Sequence, residues 1–269
     1  MATSRTIILL SNSSRSALQI LLRRHVLCQD ICAAADNMQI PDNLGYDDAA
    51  TVPLGFDTAS TGLYSDVYGI GLLPPWAGGL KKYSGNPIVI IGGSSSVGSY
   101  GKVQLTIKIH THIPLLVIQL ARLSGFSPII ATASLKHESY LKSLGATHVF
   151  NRNLSGDDLK AAISKVTSSP IEVVYDAISL DGTQQIGWSL LGTKGALILT
   201  LPASVKENEG KQRRAIPTFG SPHAQENKSL CSGSWAKLGQ WLEDGSIKVN
   251  CALNRCLDAT DPLGCTTAQ

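Results

Sequence analysis

The chain has 269 residues, 43% of them hydrophobic and 16% charged, enough apolar material for the core of one large domain or two small ones. No run of about 18 apolar residues occurs, which argues against a membrane-spanning helix. The net charge of +3 is too small to argue for a nucleic-acid partner.

The first 29 residues contain no Asp or Glu and carry Arg5, Arg15, Arg23 and Arg24 among Ser and Leu. That composition fits an unstructured leader or a mitochondrial presequence. The six cysteines, Cys28, Cys32, Cys231, Cys251, Cys256 and Cys265, form no Cys-x-x-Cys pair. Neither a disulfide framework nor a four-cysteine zinc lobe is indicated, and a reducing compartment is expected. The expected location is the cytoplasm, with the mitochondrion as the alternative. From Pro41 the pattern becomes regular. Asn43 or Asp47 can cap a helix through YDDAATVPLGFDTASTGLY, whose Ala and Leu spacing is helical. GLLPPWAGGLKKYSGNP then reads as a loop rich in turn residues.

Short apolar runs next alternate with helical segments. The spacing predicts strands at Ile88–Ile91 (IVII), 129–132 (IIAT), 148–150 (HVF), 171–175 (IEVVY) and 196–201 (ALILTL). Between them HESYLKSLGA, GDDLKAAISKV and DGTQQIGWSLLG carry helical periodicity, and SWAKLGQWLEDG follows, ending on Gly245 as a helix stop. Continuous β-branched strands separated by amphipathic helices predict a doubly wound parallel sheet of the α/β class, Rossmann-type. Residues 251–269 show no periodicity.

The first predicted strand runs into GGSSSVG, where Gly93, Ser95 and Gly98 take the spacing of G-x-G-x-x-G with serine in the middle place. Such a turn lets main-chain amides approach a diphosphate, helped by the dipole of the following helix. Alone, a glycine-serine turn is also an ordinary strand-to-helix connection. At the end of the second strand, IIATASLKHE places no acid where an NAD ribose would want one. Thr132, Ser134, Lys136 and His137 stand there instead. Cations and hydroxyls suit a 2′-phosphate, so NADP (NADPH) is expected over NAD. The alternative for Lys136 and His137 is the start of a solvated helix.

Several stretches, IPDNLGYDDAATVPLGFDTASTGLY, PIVIIGGSSSVG, IQLARLSGFSPIIATAS, LKSLGATHVFNRN and VVYDAIS, together resemble the medium-chain dehydrogenase/reductase superfamily. The similarity is nearest to its zinc-independent quinone and enoyl reductase branch, including fungal proteins with a GroES-like catalytic domain. The resemblance implies an NADPH-dependent reductase acting on a small-molecule substrate, with no nucleic-acid or membrane partner and with a homodimer possible. It implies that Ser94, Ser95, Ser96 and Val97 hold the diphosphate. Ser134, Lys136 and His137 would hold the 2′-phosphate, with Arg152 stacking on or pairing with the same end of the cofactor. Ala177 and Ile178 would line the adenine-ribose side, with Leu201 and Thr58 near the nicotinamide. No metal is expected, and no catalytic proton donor is assigned.

Three departures from the family pattern shape the expected organisation. Only about 40 residues precede the first regular helix, where relatives carry a full catalytic domain. Residues 1–40 are therefore expected to be a leader and a remnant of that domain. The dinucleotide-binding domain is expected over 41–250, with 251–269 as an irregular tail. Finally, KVQLTIKIHTHIPLLV alternates like a strand, and removing 102–117 leaves GGSSSVGSYGIQLARLSGF, a continuous turn and helix. Residues 102–117 are expected to be a translated intron or a late insertion, with one helical turn before it and the helix resuming at Ile118. Two functions stay open: an enoyl or quinone reductase, and a nucleotide-binding fragment or inactive paralogue without turnover.

Overall fold

The computed structural model of the protein describes residues 40–49, 51–92, 113–206 and 212–249. Its strands are β1 (Ile88–Ile91), β2 (Ile129–Ala133), β3 (His148–Asn151), β4 (Val173–Asp176), β5 (Lys194–Leu199) and β6 (Gln212–Pro217). They form one sheet in the order β3-β2-β1-β4-β5-β6, parallel at every pairing. The helices in chain order are α1 (Tyr46–Ala49), α2 (Pro53–Tyr64), α3 (Ile113–Ser124), α4 (Glu138–Leu144), α5 (Gly156–Ser164), α6 (Asp181–Leu190) and α7 (Lys228–Glu243). The expected doubly wound α/β architecture is present.

Every residue of β1 is buried, as a central strand covered on both faces requires. Helices α2, α3 and α7 pack Phe56, Leu63, Ile118, Leu120, Trp235 and Leu238 over one face, against Ile88, Ile90 and Tyr175. Helices α5 and α6 pack Leu159, Ile163 and Trp188 over the other, against Val89, Ile91 and Leu197. Each aliphatic side chain buried this completely stabilises the fold by about 2 kcal/mol. Among the described residues no helix is long and apolar enough to cross a membrane.

The structure departs from the sequence expectation at three places. The first predicted helix is two, because the chain breaks at Thr51 and Val52 and Pro53 opens α2 at a position that needs no amide proton. Strand β6 was not expected: QRRAIP has little β-branched character and is half-exposed along its length. Helix α3 begins at Ile113 rather than Ile118. Pro114 is its second residue, within the first turn, where no intrahelical hydrogen bond is lost. Ile113, Leu115, Leu116 and Val117 are at most 5% exposed, so the last residues of the expected insertion belong to the core. The expected single turn before the insertion lies outside the described residues, as do residues 102–112. At the other end of the chain, Gly245 adopts φ +72° just beyond α7, as its predicted helix-stop role demands.

Candidate cofactor site at the carboxyl edge of the sheet

In this strand order the chain leaves β1 toward β2 on one side and returns as β4 on the other. The crevice at the carboxyl ends of β1 and β4 is therefore the switch point where such sheets bind ligands. Ile91 is level with Thr132 and with Asp176 in the register, so three strands finish together there. Gly92 turns the chain off β1 at φ +89°, a conformation that favours glycine. Ser94, Ser95, Ser96 and Val97 follow it and lie outside the described residues.

Thr132 was expected to face the ligand. Instead it is 4% exposed, and its Oγ1 accepts from the Gly92 amide at 3.3 Å. Its work is to bind the end of β1 to β2. Beyond it Ser134 is extended and half-buried, and a short 3-10 turn, Leu135–His137, carries Lys136 outward. The His137 amide donates to Ser134 O at 3.0 Å, closing that turn. Strand β3 ends alongside, with Ala133 opposite Asn151, and the Arg152 amide donates to Ala133 O at 2.9 Å. Four of the expected site residues, Ser134, Lys136, His137 and Arg152, are thus brought to one tip. The His137 imidazole is held below its ordinary range, first by partial burial, then by repulsion from Lys136 and Arg152.

At the end of β4, Ala177 is buried and its amide donates to Ile91 O at 3.2 Å, which closes the floor of the crevice. Ile178 is half-buried beside it. Asp176 Oδ1 accepts from the Ile178 and Ser179 amides at 3.0 and 2.9 Å. Ser179 takes φ +55°, a conformation costly for a residue with a Cβ, and its hydroxyl donates to Asp176 O and accepts from the Thr200 amide. Asp176 Oδ2 is buried with no hydrogen-bond partner; nearby Thr183 gives its proton to Leu180 O. Burial raises the Asp176 carboxyl above its usual range, outweighing the Ser179 amide, the Thr183 hydroxyl and the Ile178 amide, which lower it.

Leu201 is half-buried in the loop after β5. Buried Gln184 of α6 holds that loop, donating to Ser179 O and Pro202 O and accepting from the Ser204 amide. Thr58 is separated from this group along α2. Its Oγ1 donates to Leu54 O at 2.8 Å, and its carbonyl accepts from Tyr175 Oη at 3.0 Å. Gly220 lies against it, so close that a Cβ there would come within 2.5 Å of Thr58 Cα. Next to Thr58, Asp57 is buried with its Oδ1 accepting from Trp235 Nε1 at 2.7 Å. Desolvation pushes that carboxyl up to about 7. Sequence reasoning missed Asp57, Asp176 and Gln184; only Asp176 carried a signal, as an acid closing the strand in VVYDAIS.

A cavity of about 330 Å³ lined by Leu72, Tyr83, Phe126, Glu172 and Val173 opens at the opposite, amino edge, where β1 and β4 begin. Among the described residues no three His, Cys, Asp or Glu side chains gather as a metal site.

This geometry defines a doubly wound α/β protein with its ligand crevice at the switch point. Residues 113–201 match the family described as zinc-binding dehydrogenase. The described residues furnish no zinc site to go with that description. The chain is 33% identical over 203 residues to trans-enoyl reductase himH of Aspergillus japonicus, covering 74% of this chain and 51% of that protein. It is 32% identical over 186 residues to the dual trans-enoyl reductase/FAD-dependent monooxygenase tazHJ of Aspergillus terreus, covering 68% and 23%. Among solved structures, the enoyl reductase CurK superposes with a TM-score of 0.57 at 21% identity, covering 80% of this chain and 56% of that one. The chain thus spans about half the length of himH and less of tazHJ. Its sequence similarity is to the medium-chain dehydrogenase/reductase superfamily, on the enoyl reductase-like side.

Proposed function

We propose that the protein is an NADPH-dependent oxidoreductase of the enoyl or quinone reductase type, acting on an activated C=C or C=O bond of a small molecule. The observation that carries this reading is the tip of β2 and β3, where Lys136, His137 and Arg152 converge and where, among the described residues, the neighbouring carboxylate, Glu138, is paired with Lys142. Ser134, at the entry to the same turn, adds a hydroxyl donor. The bound nicotinamide cofactor supplies the hydride. The chain's own residues hold it. Ser94, Ser95, Ser96 and Val97 are assigned to the diphosphate, and Ala177 and Ile178 wall the adenine-ribose side. Leu201 and Thr58 flank the nicotinamide end, where Gln184 and Tyr175 fix the backbone that carries them. A cytoplasmic location and a homodimer complete the reading; among the described residues β6 is one of the two outer strands of the sheet and offers an edge for a second copy.

The test is a fluorescence titration with NADPH beside NADH, followed by oxidation of bound NADPH with enoyl thioesters and quinones. Saturable binding that prefers NADPH, followed by turnover, is expected. Binding of neither nucleotide would sink the reading.

A second reading, nucleotide binding without turnover, is favoured by one observation. The tyrosine at the centre of the sheet, Tyr175, is fully buried with its hydroxyl committed to Thr58 O, and burial pushes its pKa far above the ordinary phenol range. It cannot serve as the proton donor for reduction. NADPH binding without oxidation by any acceptor would favour this reading.

A further inference from the structure

The cation cluster at the tip of β2 and β3 has a property that its assignment to a phosphate does not by itself contain. His137 belongs to a turn whose backbone is fixed by its amide bond to Ser134 O, and Arg152 is fixed beside it through Ala133 O. Lys136 precedes it in the same turn, so the charges acting on the imidazole from its own turn and from the end of β3 are both positive. From α4 the neighbouring carboxylate is Glu138, and that group is paired with Lys142 at 2.8 Å. Among the described residues, no hydrogen bond engages the side chains of Ser134, Lys136, His137 or Arg152.

We infer that His137 is a proton-linked selector at this site: it takes up a proton when a phosphate monoester docks between Lys136 and Arg152, so that discrimination for the phosphorylated nucleotide strengthens as pH falls. The inference rests on the NADPH reading above and deepens it. Without ligand, partial burial and then the two neighbouring cations disfavour the protonated ring. A phosphate dianion reverses the local sign. An opposite charge within about 5 Å favours the protonated form of a histidine and opposes the pull of the two cations. The proton adds a donor and a charge only when the phosphate is present. A nucleotide lacking that group gains nothing from it.

The experiment uses the full chain and two probes, adenosine 2′,5′-bisphosphate and adenosine 5′-monophosphate, titrated calorimetrically from pH 6.5 to 8.5. The 5′-phosphate is common to both probes, so the ratio of their affinities isolates the 2′ group. For the natural protein the ratio should rise about tenfold from pH 8.5 to 6.5. Binding of the bisphosphate at pH 7.5 should take up roughly half a proton, read from buffers of different ionisation heat. His137→Gln should abolish both effects. Lys136→Gln should weaken the bisphosphate across the whole range and leave most of the pH slope. A flat ratio in the natural protein, or a slope that survives in His137→Gln, overturns the inference while leaving the NADPH assignment standing. Failure of the bisphosphate to bind at any pH overturns the assignment and the inference together.

Discussion

Asp57 is a carboxyl group enclosed between α2 and α7 with one polar partner, the indole N–H of Trp235 at 2.7 Å. Desolvation raises it from 3.8 to about 7, and the indole bond only partly opposes that. A carboxyl raised by folding stabilises the native state fully below its unfolded pKa, and that contribution is lost as pH rises through the folded value. The whole effect, at about 1.4 kcal/mol per pH unit over the interval from 3.8 to about 7, is roughly 4 kcal/mol. Between pH 5.5 and 8.5 the part lost is about 2 kcal/mol. Asp57→Asn keeps a carbonyl oxygen for Trp235 and removes the charge. Urea denaturation of both proteins at the two pH values gives the comparison. The variant should equal or exceed the natural protein at pH 8.5, and the difference between them should grow by about 2 kcal/mol from pH 5.5 to 8.5. That corresponds to about 4–8 °C in Tm for a domain of this size. Because every other titrating group is common to both proteins, the difference belongs to Asp57. Equal pH slopes in the two proteins would refute the reasoning, since a buried ionising carboxyl must show itself there.

Arg213→Ala should cost about 2–3 kcal/mol in chemical denaturation, because the guanidinium donates to Trp188 O, Leu191 O and Gly192 O at the end of α6 and no neighbour replaces it. Gln184→Ala should cost about 2 kcal/mol and speed hydrogen exchange at the Ser204 amide, which the glutamine carbonyl now holds at 2.8 Å. Gly220→Ala should destabilise by about 1–3 kcal/mol and weaken NADPH binding, because the new methyl meets the backbone of Thr58 and α2 must shift; melting and nucleotide titration read the two effects.

The strands were legible because parallel strands buried on both faces must be apolar throughout, and IVII, VVY and ALIL are. Strand β6 was not legible. It follows β5 directly only through long-range pairing, and QRRAIP carries no local pattern that demands a strand. The start of α3 misled for a related reason. KIHTHIPLLV alternates locally, but Ile113, Leu115 and Leu116 are fixed as helix by burial against other elements, and that places Pro114 harmlessly in the first turn. At the site, the missing acid after β2 pointed to Lys136 and His137, and the register of β3 then adds Arg152. The titration of Asp57 was invisible because it depends on enclosure, which the sequence records nowhere locally.

The polar groups along the carboxyl edge divide by whether the fold has already used them. Thr132 holds Gly92, Ser179 holds Thr200, Thr58 and Tyr175 are bonded to the backbone of α2, and Gln184 is fully occupied by the loops it joins. These groups shape the crevice and have little left to offer a ligand. What the described residues leave uncommitted is concentrated at one end, Ser134, Lys136, His137 and Arg152, with Asp176 Oδ2 alone near the centre. On the function proposed above, the 2′-phosphate end of the cofactor is held at this tip, the diphosphate is assigned to Ser94, Ser95, Ser96 and Val97, and the other described groups of the edge position the ligand. That is the arrangement expected where the bound cofactor carries the chemistry and the protein fixes its reach. It also predicts where substitutions act. Changes at the β2–β3 tip should move affinity and its pH dependence with little effect on folding. Changes at Ser179, Gln184 or Tyr175 should move stability first, and affinity only through it.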